Sequence, residues 1–97
     1  MTRAERIMMT TGERKFCNAM EKIIHKLKAE IEKKNTILIP AKDLAREMEP
    51  KFEIKSISRF YFLVKICLRA NDIHVEPKTR DYEPALLMRA RTQEDVW

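Results

Sequence analysis

The window 55–69 holds four cations, Lys55, Arg59, Lys65 and Arg69, and no aspartate or glutamate. Ser56 and Ser58 stand beside the first two. An arginine can bond guanine O6 and N7 with both arms of its fork, whereas lysine and serine grip phosphate or adapt to either partner. A helix opening with Lys55, Ser56, Ser58 and Arg59 would offer a polyanion its unpaired amides and the positive end of its dipole, with Arg59 as the base reader. A solvated helix face accounts for the same residues without a ligand, with Arg59 in a surface ion pair, for example with Glu53. Other cations suited to backbone phosphate are Lys42 and Arg46, then Lys78 and Arg80 in a polar stretch shared with Glu76 and Asp81, then Arg3 and Arg6 near the amino end.

Other chemistry has little foothold. His25 and His74 fall in separate stretches with no H-x-x-x-H or Cys/His spacing, so no metal site is expected. The single glycine, Gly12, cannot build a phosphate-cradling loop. Carboxylates such as Asp43, Glu47 and Glu49 lie among lysines and arginines, where helix-surface ion pairing is the ordinary explanation. The expectation is a non-enzymatic protein with no cofactor. Cys17 and Cys67 lack C-x-x-C spacing and one bridge is no disulfide framework, so both read as buried small hydrophobes.

The whole chain bounds these readings. Its 97 residues fit one domain, and 44% hydrophobic with 36% charged residues is too apolar for disorder and too charged for a membrane. No apolar run approaches the roughly 20 residues that cross a bilayer. The amino terminus lacks a signal-peptide core, which makes a cytoplasmic location the default expectation. The net charge of +5 is uneven: nine basic against five acidic residues in 1–35, seven against five in 36–72, and four against five in 73–97. A basic cluster on one element is the footprint expected of a polyanion binder.

The elements that must position these cations follow from periodicity. Thr10-Thr11-Gly12-Glu13 matches a capping box, and Phe16, Met20, Ile23, Ile24, Leu27 and Ile31 then recur every three or four residues, predicting a first helix over about 11–34. Thr36-Ile37-Leu38-Ile39, stopped by Pro40, reads as a brief edge strand. Ala41, Leu44, Ala45 and Met48 mark a short second helix, ended because Glu49 precedes Pro50. Ser56 is a good N-cap for a third helix over about 57–70, with a buried strand at 60–68 as its rival. Asn71-Asp72 stops that helix. Ile73-His74-Val75 and the stretch from Tyr82 to Met88 then form a hairpin around a polar turn at 76–81, with Pro77 and Pro84 tolerable at its ends or edge. Residues 1–10 form an arm and 93–97 a tail.

The order helix, strand, helix, helix, hairpin resembles the winged-helix version of the helix-turn-helix. Ile39-Pro-Ala-Lys-Asp-Leu-Ala-Arg-Glu-Met48 looks like the family's first motif helix, with Ala45 letting two helices approach. Ile57-Ser58-Arg59 and the apolar run into Asn71-Asp72-Ile73-His74-Val75 looks like the recognition helix entering the first wing strand. The resemblance covers roughly residues 12–92. It departs from the family in the long 49–55 connection and in Asn71 where many members have glycine. It implies an α+β, mainly helical winged-helix domain over about 11–92, three helices with a long first one, and a C-terminal hairpin wing. It also implies sequence-specific binding of double-stranded DNA by a transcriptional regulator, the third helix lying in the major groove and Lys78 and Arg80 following the backbone or minor groove. The third helix carries more apolar residues than one core face can use, and the first helix is long for so small a body. A homodimer packed through the first helix, with Leu86-Leu87-Met88 or Trp97 contributing, is therefore expected. The alternative is an interaction module that docks a partner protein through the apolar third helix. RNA stacking on Phe60 or Tyr61 ranks behind both, because an apolar run favours core packing.

Overall fold

The computed structural model describes residues 11–92. The expected arm with Arg3, Arg6 and the Thr10 cap, and the tail with Trp97, lie outside them. The elements run α1 (Thr11–Lys34), β1 (Thr36–Pro40), α2 (Ala41–Met48), α3 (Ile57–Arg69), β2 (Ile73–Arg80) and β3 (Glu83–Ala90). Three helices cover a three-stranded antiparallel sheet of order β1-β3-β2.

Each helix is oriented by its apolar stripe. All six expected residues of α1, Phe16, Met20, Ile23, Ile24, Leu27 and Ile31, are buried, and the cation-rich last turn ends in Asn35 with φ 66°. The Asn35 amide donates to the Ile31 carbonyl at 2.7 Å, the left-handed cap that an asparagine tolerates. In α2 the small residues Ala41 and Ala45 are buried with Leu44 and Met48, and the helix stops at Glu49, whose extended backbone (φ −155°, ψ 124°) is what Pro50 demands. Lys26 of α1 bonds Glu47 of α2, which also raises the Lys26 ammonium above its ordinary pKa. Ser56 caps α3, its hydroxyl accepting from the Arg59 amide at 3.3 Å. The rings of Phe16, Phe52 and Phe60 meet with centroids 5.7 to 6.1 Å apart, so Phe52 fastens the glycine-free 49–55 connection to α1 and α3.

The hairpin differs from expectation in extent. β2 runs on through Glu76–Arg80, where a turn was expected, and pairs in register from Ile73↔Ala90 to Arg80↔Glu83. The turn is Asp81 and Tyr82 alone, both at positive φ (50° and 65°), as a type I′ connection requires. Residues 77–80 are exposed, so the outer half of the hairpin projects beyond the core and shows no apolar alternation. Pro77 is accommodated because β2 is an edge strand, and Pro84 because β1 covers β3 only from Ala85 to Arg89. After α3 the left-handed residue is Asp72 (φ 57°) rather than Asn71.

A further expectation is corrected by packing. Cys17 and Cys67 are not separate thiols; they form a disulfide that ties α1 to α3, with Cα atoms 5.2 Å apart. Sequence separation conceals this, because a bridge depends on which faces meet. The stripe of α1 lies in one core with Val64, Cys67, Leu68, Leu86 and Met88. Of the surplus on α3, Ile57, Tyr61 and Leu63 pack partly against that core, and Phe62 stays outside. No helix among the described residues is long and apolar enough to cross a membrane.

Candidate nucleic-acid interface

The amino end of α3 emerges at the surface. Lys55, Ser56, Ser58 and Arg59 are all exposed, although the Ser56 hydroxyl is occupied by its capping bond. Arg59 is held from two sides. One terminal nitrogen donates to Glu13 Oε1 of α1 at 3.1 Å, and the guanidinium carbon lies 5.5 Å from the ring centroid of Phe62, one turn further along α3. The surface ion pair weighed for Arg59 therefore exists, but its acid is Glu13 rather than Glu53. The Glu13 side chain is only 15% exposed, against 54% for Arg59. Ser58, Phe62 and Lys65 follow at helical spacing, so one exposed side of α3 carries hydroxyl, ring and ammonium in sequence.

A groove of about 390 Å³ separates α3 from α2 and the hairpin, lined by Lys42, Lys55, Ile57, Glu83 and Pro84. Lys42 Nζ sits 2.8 Å from Glu83 Oε2, and Glu83 is the register partner of Arg80. The fold thus brings Lys42 and Lys55 to one groove with Glu83, and sets Arg80 opposite Glu83 on the hairpin, although the three cations are far apart in sequence. Arg46 is exposed one turn beyond Lys42 on α2. Lys78 lies two residues before Arg80 and pairs at 3.6 Å with Glu76. Glu76 also bonds His74 at 2.9 Å, and that bond, with the charges of His74 and Lys78, holds its carboxyl below its ordinary pKa. Three of the expected contact residues thus face an acid: Arg59 meets Glu13, Lys42 meets Glu83, and Lys78 meets Glu76.

Tyr61 fixes the hairpin relative to α3. Its hydroxyl donates to the Lys78 carbonyl at 3.4 Å, and burial raises the phenol above its ordinary pKa, with the Ala85 backbone pulling the other way. Lys78 and Ala85 are register partners, so this ring meets both strands at the base of the projecting half. Phe60 is buried, which removes it as a stacking platform.

Sequence reasoning missed three residues. Phe62 is 49% exposed, and its place was readable: Ser58, Phe62 and Lys65 share a face opposite Phe60, Val64, Cys67 and Leu68. Tyr82, fully exposed at the hairpin tip, required the true turn position. Glu13 lies 46 residues from Arg59, and no local pattern links them. No group of three or more metal-capable side chains comes together among the described residues. Compared with models of known families, with curated proteins and with solved structures, the chain has no significant match.

Proposed function

We propose that this protein is a winged-helix, sequence-specific binder of double-stranded DNA and a transcriptional regulator, with α3 entering the major groove and the β2–β3 hairpin acting as the wing. The observation that carries the reading is the exposed side of α3, itself without an acid, which starts at the Ser56-capped amino end with Lys55, Ser58 and Arg59 and continues through Lys65. The element order and the β1-β3-β2 sheet support it, since they are what a winged helix needs to set a hairpin beside its third helix. Arg59 is the base reader. Lys55 and Ser58 hold phosphate at the helix start, Lys42 and Arg46 hold it from α2, and Lys78 and Arg80 follow the backbone from the wing. Ser56 acts through its cap, setting where the helix begins.

Docking of a partner protein by the apolar run of α3 is less well supported, because Phe60, Val64, Cys67 and Leu68 are inside the core. Selection from a random duplex pool, followed by a salt titration on the recovered site, tests the proposal. A defined site whose affinity falls steeply with salt is expected, and an unenriched pool or a salt-independent affinity overturns it.

A further inference from the structure

Phe62 and Tyr82 are the large hydrophobic side chains left exposed among the described residues, and only Phe62 lies on a helix. It is neither part of the core cluster nor isolated, for the Arg59 guanidinium carbon lies over its ring, 5.5 Å from the centroid. Resting on the reading of α3 as the groove-facing helix, we propose that Arg59 and Phe62 form one composite reader. Arg59 takes a guanine, and the Phe62 ring takes the 5-methyl group of a thymine at the neighbouring base pair.

Three observations carry this. The major groove distinguishes thymine from cytosine by a methyl group and a carbonyl in place of an amine, and an aromatic ring is among the apolar groups that contact that methyl. The two residues are three positions apart on a helix, a rise of about 4.5 Å, close to the roughly 3.4 Å between stacked base pairs. The charges along the helix favour nucleic acid: Lys55, Arg59 and Lys65 are exposed on or beside α3 and that helix contributes no acid, the carboxylate bonded to Arg59 being Glu13 of α1. Stacking on a single strand is a poorer fit, because it calls for a run of exposed rings along the path of the strand. Phe60 is buried and Tyr61 is bonded to Lys78, so Phe62 stands without a second ring on α3.

The Phe62 contact and the Glu13 bond together restrict the Arg59 side chain. A free arginine loses rotamer freedom when its fork engages a base, and a ring already beneath the guanidinium reduces that loss. The pair therefore works as a unit.

The test uses the full chain and the duplex recovered by random selection, in which each thymine is replaced in turn by deoxyuridine, deleting only the 5-methyl group. One thymine beside a guanine is expected to lose about fourfold in affinity, the worth of one buried methyl. With Phe62→Ala the same replacement should have no effect, and 5-methylcytosine placed there in the cytosine-substituted duplex should restore part of the parental affinity. Phe62 is half exposed, so the variant should keep the parental circular dichroism and thermal midpoint. A recovered duplex with no methyl-sensitive thymine, or sensitivity that persists in Phe62→Ala, overturns the composite reader and leaves groove binding standing. Loss by Phe62→Ala of single-strand binding alone overturns it in favour of stacking, and an unenriched pool overturns both readings together.

Discussion

Arg59 has more than one claim on it. Its guanidinium carries five N–H donors, of which a terminal one is engaged by Glu13 at 3.1 Å. A bidentate bond to guanine needs two of these donors, so under the proposed DNA-binding reading Glu13 competes with a base for the same guanidinium. Glu13→Gln is expected to tighten binding to any duplex by a few fold, measured by fluorescence anisotropy at low salt, because it removes one negative charge beside the phosphates. Arg59→Ala should instead erase discrimination at one guanine, a loss of about 1–3 kcal/mol in the ratio of matched to mismatched affinity. Lys42→Ala should weaken matched and mismatched duplexes alike and reduce the salt slope by less than the value of about one expected for a free phosphate contact, since Glu83 already neutralises part of its charge. Competition titrations with single-base variants separate these outcomes. Of the acidic partners only Glu76, two residues from Lys78, was visible locally; Glu13 and Glu83 reach their cations across elements, and only the fold brings them near.

At the scale of elements, legibility followed periodicity. The bounds of α1 and α2 are as expected because each has a stripe ended by Asn35 or before Pro50, and β1 runs one residue past expectation, through Pro40. The third helix was right for the same reason, and its rival strand failed because Phe60, Val64, Cys67 and Leu68 line up on one helical side. The outer hairpin was misread because residues 77–84 are exposed on both strands, leaving no alternation to read. Its turn is also chemically unusual. Asp81 and Tyr82 hold positive φ where Asn-Gly is favoured, and a non-glycine residue in that region costs about 1–2 kcal/mol. Replacing the pair by Asp81→Asn with Tyr82→Gly is expected to stabilise the fold by about 1 kcal/mol net of the glycine's added unfolded entropy, near 5 °C in thermal midpoint by calorimetry. A midpoint that does not rise would show that Tyr82 contributes to the folded state despite its exposure.

For the whole molecule the bridge between Cys17 and Cys67 matters most, and it was the least legible feature. Two cysteines without a framework spacing say nothing about whether their faces meet, and here the sides of α1 and α3 that pack together carry them both. A closed loop with a sequence separation of 50 residues removes unfolded-state entropy worth about 4 kcal/mol. Cys17→Ala with Cys67→Ala is therefore expected to lower the thermal midpoint by roughly 20 °C, and a shift of only a few degrees would mean that packing around α1 and α3 supplies the stability instead. The same covalent link sets how the molecule would respond to mechanical load. Most of α1 and α3, with all of β1 and α2, lies inside the loop, so a tether pulled at the two termini bypasses them. Force spectroscopy on the oxidised chain would record a contour length about 170 Å shorter than on the reduced one, from the segment between Cys17 and Cys67 that never bears tension.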